Sequence, residues 1–341
     1  MAANLWSPAA PYLNTASYGL PPEPAWEALQ RVLEDWRGGR TSWEPWGAYT
    51  EGARAAFARI VGADVADIAV GATVSELIGL VAASLPDGAR VVAPDIDFTS
   101  LLWPFMVHAD RGVETETVPL DRLAEAIDSR TTAVAFSAVQ SSNGDVADLA
   151  SIVAAARHQG ALVCVDATQA TGWLPIGATE ADFLACAGYK WLCSPRGTAY
   201  MFVRREHRET LRPLHAGWYG AEDPHATYYG PPVRLAEATR RLDSSPAWFS
   251  WVGAQPALET LERIGIDTIH DHDVGLANRF RVGLGLPPGN SAIVSADVPD
   301  AQSKLERAGI QAATRAGGLR ASFHVYNTEA DVDRALEALA D

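Results

Sequence analysis

Two residues in this chain, Asp166 and Lys190, have types and positions that could do chemistry together. Each lies at the end of an apolar, strand-like run, residues 161–166 and 181–190. In an open α/β sheet, ligands bind beyond the carboxyl ends of the strands, so both side chains would face one crevice. An amine there can form a Schiff base with a carbonyl, and a carboxylate can hold a protonated pyridine nitrogen. Pyridoxal 5'-phosphate requires this pair, so the sequence predicts that cofactor and an enzyme.

Asp166 also has a simpler explanation. A carboxylate directly after five apolar residues is costly to bury without a partner, but a helix N-cap accounts for it equally well. Lys190 is harder to explain as a structural residue, because it lies between Tyr189 and Trp191 on an apolar run, unlike the usual solvated lysine. Burial lowers the pKa of a lysine and makes its amine available as a nucleophile and base.

Alternating strand and helix patterns over residues 20–205 must position these side chains. Such alternation predicts βαβ units in a mostly parallel sheet, with strands at residues 68–70, 91–93, 132–136, 162–165 and 183–185. The strand at residues 198–203 follows Lys190 too closely for a helical crossover, so it is predicted to be antiparallel.

The pattern changes near residue 211, where an irregular connector at residues 213–232 precedes helices and short strands. In the tail, the sequence predicts strands at residues 292–294 and 319–325 and a last helix at residues 329–339. We therefore expect an α/β protein with two domains. Residues 20–210 would form a large cofactor-binding domain, and residues 1–19 and 211–341 a smaller α+β domain.

Residues after the other strands are further candidates for a cofactor site. Ala72 and Thr73 open a helix whose free N–H groups suit a phosphate, although Thr73 and Glu76 also form the pattern of a capping box. Phe98 could stack on an aromatic cofactor or be an ordinary core residue. Ser141 lies in a polar segment that could reach a phenolic oxygen or form a plain Asn-Gly turn.

Arg320 begins a polar and aromatic run, residues 320–327, in the predicted small domain. Its guanidinium suits a substrate carboxylate, and a surface salt bridge is the alternative. His270 and His272 suggest a metal, but no third ligand cluster is evident, so no metal is expected.

Composition excludes several kinds of partner. The 27 basic and 42 acidic residues give a net charge of −15, which opposes nucleic-acid backbones and anionic membranes. The three cysteines form no C-x-x-C pair, and we expect them to be small buried hydrophobic residues. We see no secretory signal pattern at the amino terminus and no apolar stretch of roughly 20 residues, so we expect a cytoplasmic protein that acts on a small molecule.

In their order along the chain, these motifs resemble the class V aminotransferase family, which consists of fold type I pyridoxal-phosphate enzymes. The matching segments are residues 12–17, 71–73, 166–169, 188–192, 195–198 and 319–322. The resemblance covers essentially the whole chain, and Asp-x-x-Gln followed by Lys-Trp-Leu is highly specific. It implies a homodimer with two active sites at the subunit interface.

The resemblance implies a role for each matching residue. Lys190 would bond to the cofactor, Asp166 would hold its pyridinium, and Phe98 would stack on its ring. Gln169, with Ser141 beside it, would contact the ring hydroxyl.

The other matching residues would hold the phosphate or the substrate. Those implied for the phosphate are Ala72, Thr73 and Tyr189 in the chain itself, and Trp218 and Ser245 from the neighbouring subunit. Arg320 would grip the carboxylate of the amino-acid substrate, and Asn14 would also bind the substrate.

The activity that the resemblance implies depends on where the chain departs from the family. Cysteine desulfurases keep a nucleophilic cysteine in their carboxyl-terminal half, whereas no cysteine follows Cys193 here. They also place His where Phe98 and Tyr189 stand. The chain looks most like hercynylcysteine sulfoxide lyases of ergothioneine synthesis, kynureninases and isopenicillin-N-epimerase-like proteins. The resemblance implies a lyase that cleaves a Cβ–S bond of a cysteine-derived amino acid or its S-oxide; an aminotransferase or epimerase is the alternative.

Overall fold

The computed structural model describes residues 3–315 and 317–340. Residues 1, 2, 316 and 341, which fall in the predicted small domain, lie outside the described residues. The strands are β1 Ile68–Gly71, β2 Arg90–Pro94, β3 Glu114–Val118, β4 Ala133–Ser137, β5 Leu162–Asp166, β6 Phe183–Ala187, β7 Ala199–Val203, β8 Ile293–Ala296, β9 Ala313–Arg315 and β10 Gly318–Ser322. The α-helices are α1 Glu23–Arg37, α2 Trp43–Ile60, α3 Val74–Ser84, α4 Thr99–Met106, α5 Leu123–Ala126, α6 Leu149–Gln159, α7 Trp248–Ile264, α8 Ile266–Gly283, α9 Ala301–Arg307 and α10 Glu329–Ala340.

The main sheet has the strand order β1-β7-β6-β5-β4-β2-β3. β7 is antiparallel to both of its neighbours, and the other neighbouring strands are parallel. β2, β4, β6 and β7 are buried along their whole length, which explains their continuous apolar sequences. The predicted α/β sheet and its antiparallel strand after Lys190 are confirmed. Ser137 pairs with Asp166, so β4 and β5 end side by side at the site.

The second sheet is antiparallel, with the order β8-β10-β9. Leu319 and Ala321 of β10 belong to an apolar core with Leu305 of α9 and Val332 of α10. Because side chains alternate between the faces of a strand, Arg320 lies on the opposite face, away from these helices.

Helix α7 packs against α1 and α2, and Val252 of α7 shares a small apolar cluster with Ala28 and Val32 of α1. The predicted domain boundary near residue 211 stays a prediction; this packing places α7 against two helices of the predicted large domain. No α-helix in the described residues is both long and apolar enough to cross a bilayer.

The segment of residues 12–19 links the two cores to the lysine turn. Leu13 is buried in the small-domain core and Ala16 in the core beneath the main sheet. The N–H of Gly19 donates to the Tyr189 carbonyl (2.9 Å). A Cβ at Gly19 would collide with the Lys190 carbonyl oxygen, so only glycine allows this close approach.

Candidate active site

A pocket of about 670 Å³, including its open mouth, lies at the carboxyl ends of β4, β5 and β6 and at the start of α3. It brings together residues that are far apart in the sequence. The predicted cofactor-binding residues that line it are Ala72, Thr73, Phe98, Ser141, Asp166, Gln169, Tyr189 and Lys190. This clustering agrees with the expectation that strand ends in an α/β sheet meet at one crevice.

Lys190 is 6% exposed, and its Nζ forms no hydrogen bond or ion pair within the described parts of the chain. Nζ lies 5.5 Å from the centre of the Phe98 ring and 5.7 Å from that of Tyr189. Burial lowers the pKa of Lys190 to about 8, although the nearby Asp166 carboxylate opposes the shift. A buried amine without a partner, and with this lowered pKa, is available to react.

Asp166 is buried at the end of β5, and its Oδ1 accepts a hydrogen bond from the Thr168 N–H (2.8 Å). Burial raises the pKa of Asp166, and the hydrogen bond from Thr168 partly offsets that rise. The residues that follow form a turn and no helix, so the N-cap alternative is not realised. A buried carboxylate with a raised pKa is stabilised by a cationic or protonated partner in the pocket.

Phe98 is 48% exposed at the pocket, so it is not a core aromatic residue. Its position depends on Asp97, a buried acid that sequence reasoning missed. Asp97 Oδ1 accepts from the Phe98 N–H (2.7 Å), and Oδ2 accepts from the Ser137 N–H and from Gln140 Nε2 (2.7 and 3.0 Å). An acid so close after a buried strand was the signal that could have found it.

Gln169 has no free amide hydrogen. Its Nε2 donates to the Ala16 carbonyl and to Ser141 Oγ (both 3.0 Å), and its Oε1 accepts from Trp191 Nε1 (2.8 Å). Ser141 Oγ therefore acts as an acceptor here, and its own hydroxyl hydrogen remains available to donate into the pocket. Of the two residues predicted to contact a ring hydroxyl, Ser141 has the available donor, and Gln169 holds it in place.

The start of α3 forms a variant of the expected capping box, in which the Glu76 side chain bonds to the residue before the N-cap. The Glu76 N–H donates to Thr73 Oγ1 (3.2 Å), and Glu76 Oε2 accepts from the Ala72 N–H (2.8 Å). The Ala72 amide is thus already bonded, whereas Val74 and Ser75 also line the pocket and begin the helix, where N–H groups lack intrahelical partners. An anion at this end of the pocket would be bound by these amides and the helix dipole.

Arg196, which sequence reasoning did not single out, is an exposed cation on the lining of the same pocket. Its guanidinium lies 5.1 Å from the Tyr189 ring centre. It adds positive charge to the pocket lining beside Tyr189.

Arg320 is only 1% exposed, so the predicted alternative of a surface salt bridge is wrong. Its Nη1 donates to the Ser141 carbonyl (2.5 Å) and its Nη2 to Ser17 Oγ (2.7 Å), while its Nε has no partner. Within the described residues it forms no ion pair with an acid. Burial, and after it the charge of Arg315, lower the pKa of Arg320 to about 10. Burying an unpaired guanidinium is costly, which indicates an anionic ligand.

Asn14, the other predicted substrate residue, forms a bridge with Ser322, two residues from Arg320. Its Oδ1 is buried and lacks a hydrogen-bond partner among the described residues. Trp218 and Ser245 do not line the pocket of their own chain. Trp218 packs on Trp43, with ring centres 5.0 Å apart, and Ser245 is exposed. Their predicted roles in the neighbouring subunit stay predictions.

One group in the described residues has the composition of a metal site: Asp182, Glu206 and His207. The Asp182 carboxylate already accepts hydrogen bonds from Arg157 and Arg204 (3.0 and 2.8 Å). Ion pairing to arginine accounts for this group without a metal.

The pocket residues fit a phosphorylated pyridine aldehyde. Lys190 provides an unpartnered amine for the aldehyde, and the Asp166 carboxylate has a free side for a protonated ring nitrogen. The exposed Phe98 ring provides a stacking surface, and the start of α3 provides amides for the phosphate. These are the contacts that pyridoxal 5'-phosphate requires.

Comparisons with known proteins agree with this chemistry. The chain is 28% identical to the uncharacterized aminotransferase YcbU of Bacillus subtilis strain 168, over 93% of this chain and 90% of the relative. It is also 28% identical to the isopenicillin N epimerase of Amycolatopsis lactamdurans, over 85% and 84% of the two chains. Among solved structures, the cystine C-S lyase C-DES in complex with cysteine persulfide superposes with a TM-score of 0.86 at 23% identity. That superposition covers 97% of each chain and shows the shared fold.

The family model described as aminotransferase class-V matches residues 20–304, which is most of the chain. The match spans every segment that lines the pocket and stops short of Arg320. Together with the fit of the pocket, it confirms the resemblance seen in the sequence. The chain therefore belongs to the aminotransferase class-V family, whose enzymes use pyridoxal 5'-phosphate.

Proposed function

We propose that the protein is a pyridoxal-phosphate-dependent lyase that cleaves the Cβ–S bond of a cysteine-derived amino acid or its S-oxide. One observation carries the proposal. The buried amine of Lys190 and the carboxylate of Asp166 line one pocket, and the guanidinium of Arg320, which has no acidic partner among the described residues, donates a hydrogen bond to Ser141 on the lining of that pocket. These groups match the aldehyde and ring nitrogen of the cofactor and the carboxylate of an α-amino acid.

Each residue has a defined task in this reaction. Arg320 binds the α-carboxylate of the substrate and so orients the Cα–H bond toward Lys190. Lys190, whose pKa is lowered to about 8, removes the Cα proton. With the cofactor bound, Asp166 would hold a proton on the ring nitrogen, and Phe98 would provide the stacking surface for the ring. When bound, pyridoxal 5'-phosphate supplies the electron sink for the charge that develops at Cα.

Loss of the Cα proton allows the sulfur group at Cβ to be eliminated. The Cβ–S bond breaks with its electron pair on sulfur, and Lys190 returns the proton to the departing sulfur. The organic product, 2-aminoacrylate, takes up water and gives pyruvate and ammonia. No oxidant or reductant is consumed.

The positions of the three cysteines favour release of the substrate sulfur into solution over its transfer to a cysteine of the protein. Cys164, Cys186 and Cys193 are buried, and none of them lines the pocket. Burial raises the pKa of the Cys164 and Cys186 thiols, which makes them poor nucleophiles. With no thiolate to accept sulfur, a persulfide mechanism is disfavoured.

We also place the active site at a homodimer interface. The pocket opens beside the exposed ring of Phe98, and both Trp218 and Ser245 lie outside the pocket of their own chain. A second subunit would cover the open side and bring in these two residues. Sedimentation of the purified holoenzyme at twice the mass of the chain would support this arrangement.

Product analysis tests the activity. Holoenzyme incubated with S-ethyl-L-cysteine or its sulfoxide should release pyruvate in step with the sulfur product. An aminotransferase would instead release a keto acid with its side chain intact. An epimerase would exchange the Cα hydrogen for solvent deuterium without cleaving the C–S bond. Either result in place of pyruvate would reject the lyase in favour of that family alternative.

A further inference from the structure

A second guanidinium, that of Arg315, lies on the same face of the small sheet as Arg320. In the ladder between β9 and β10, Arg315 pairs with Gly318 and Ala313 pairs with Arg320. Directly paired residues share a face, and so do residues two apart in one strand. Both arginines therefore lie on the face opposite the helices α9 and α10, which is the face toward the active site.

Ser17 joins the two guanidiniums. Its Oγ accepts hydrogen bonds from Nη2 of Arg320 (2.7 Å) and from Nη2 of Arg315 (3.3 Å). Two like charges this close repel each other. Neither arginine forms an ion pair with any acidic residue in the described portions of the chain, so the repulsion is not compensated by the protein. An α-carboxylate bound at Arg320 would offset the charge of that guanidinium, and the charge of Arg315 would remain available for a second anion.

Arg315 also lines a cleft that adjoins the cofactor pocket. Two residues on the lining of this cleft are close in sequence to residues of the pocket. Ser142 follows Ser141 of the pocket, and Ile96 comes two residues before Phe98. Asp297 is the acid on its lining, and it is exposed and forms no ion pair with Arg315 among the described residues. A substrate side chain that leaves the cofactor pocket on this side would meet Arg315.

We propose that Arg315 and Ser17 form a second anion subsite, so that the substrate carries a carboxylate on the group attached to its sulfur. The inference rests on the proposed function, because it assigns Arg320 to the α-carboxylate and a sulfur substituent to the adjoining cleft. Arg315 is exposed, so solvent screens its charge. We expect a carboxylate to be preferred over a neutral group by about tenfold.

Two substrates of nearly the same shape test the subsite. S-(2-carboxyethyl)-L-cysteine and S-(2-carbamoylethyl)-L-cysteine differ by one charge, and pyruvate release gives kcat/KM for each. Wild-type holoenzyme should prefer the acid by about tenfold, and Arg315→Gln should bring the ratio close to one. Arg307→Gln is the matched control, since Arg307 is an exposed arginine on α9, on the other side of the sheet. It should keep the wild-type ratio.

A binding experiment separates failure of the subsite from failure of the lyase activity. If neither conjugate yields pyruvate, the lyase proposal is wrong, and the subsite can still be measured. L-Glutamate and L-glutamine are then titrated against the visible absorbance band of the holoenzyme. Tighter binding of glutamate that is lost in Arg315→Gln supports the inference. Equal dissociation constants in the wild type, or a preference that survives Arg315→Gln, overturn it.

Discussion

The Nε2 of His324 donates a hydrogen bond to the backbone carbonyl of Trp191 (3.0 Å), the residue that follows Lys190. His324 is fully buried, and its Nδ1 donates to Asp273 Oδ2 (2.7 Å). Because both partners are acceptors, both ring nitrogens carry hydrogen and the imidazole is cationic. A buried ion pair of the small domain thus holds the backbone of the lysine turn.

Loss of this histidine should destabilise the protein more at low pH than at high pH. Burial alone would lower the pKa of His324, but attraction to Asp273 outweighs it and raises the pKa from 6.5 to about 10. The stabilisation is therefore complete below pH 6.5 and is lost as the pH rises through about 10. His324→Gln should cost about 3 kcal/mol of unfolding free energy at pH 6, because it removes the buried cation paired with Asp273 and leaves that buried acid only its contact with His272.

Denaturant titrations at pH 6 and pH 10 measure this difference. His215→Gln, a change at an exposed histidine, is the control and should cost little at either pH. A cost for His324→Gln that is the same at both pH values would show that the imidazole is neutral in the folded state.

Replacement of the reactive lysine should abolish the visible absorbance of the holoenzyme. Lys190→Arg keeps the positive charge but cannot bond to the aldehyde, so both the band and turnover should be lost, with kcat reduced by about 1,000-fold or more. Borohydride treatment followed by mass spectrometry should attach the cofactor to the peptide that contains Lys190. Retention of the visible band in the variant would show that another amine holds the cofactor.

The rate of cofactor uptake should report the pKa of the same amine. Burial lowers the pKa of Lys190 to about 8, so the neutral form becomes the major species above that pH. Mixing of cofactor-free protein with pyridoxal 5'-phosphate should show a rate that rises about tenfold per pH unit below pH 8 and levels off above it. A rate still rising steeply at pH 9.5 would indicate an ordinary, solvated lysine.

A neutral replacement of the acid should separate cofactor binding from turnover. Asp166→Asn keeps an oxygen to accept from Thr168, but it removes the charge that favours a protonated ring nitrogen. We expect the visible band to persist while kcat falls by about 100- to 1,000-fold. Thr168→Val is a useful companion, since it leaves the carboxylate in place and should reduce kcat far less. Wild-type turnover by Asp166→Asn would reject the role of the carboxylate.

Replacement of Arg320 by an apolar residue should weaken substrate binding without lowering the free energy of unfolding. Arg320→Met removes a buried charge that has no acidic partner, so the free energy of unfolding without substrate should stay equal or rise by up to about 2 kcal/mol. Binding of amino acids should weaken by about 100-fold or more.

Arg54 provides the matched control for this change. It is also a buried arginine, but its guanidinium is paired with Asp243 (2.5 Å). Arg54→Met should therefore destabilise the protein by about 3–5 kcal/mol, because it leaves a buried carboxylate alone. Equal losses of stability in both variants would mean that Arg320 has a structural role.

The strands that carry the site could be predicted because each is an apolar run that ends in a polar residue. β5 ends at Asp166, and Lys190 comes three residues after β6. β3 is missing from the prediction because it lies at the edge of the sheet. Its sequence, Glu-Thr-Glu-Thr-Val, has four polar residues out of five, and most of the strand stays exposed. It therefore lacks the apolar pattern that indicates a buried strand.

The groups around Arg320 and Phe98 could not be predicted from local patterns. Arg320 meets Ser17, which is 303 residues away, and Asp97 bonds to Ser137 and Gln140, about 40 residues away. Only the fold brings such partners together. For the same reason, local patterns could not show that Gln169 bonds to Ala16 and Ser141, and the contact with the ring hydroxyl that the resemblance implies for Gln169 stays a prediction.

The segment of residues 12–19 has a mechanical consequence. Leu13 is anchored in one core, Ala16 in the other, and Gly19 rests on the backbone of Lys190. Between these anchors the chain turns at residues 15–17, where the N–H groups of Ser17 and Tyr18 donate to the Asn14 carbonyl (2.9 and 3.1 Å). Because this short, hydrogen-bonded segment joins the small-domain core to the backbone beside Lys190, a displacement of the small domain would also displace the lysine turn.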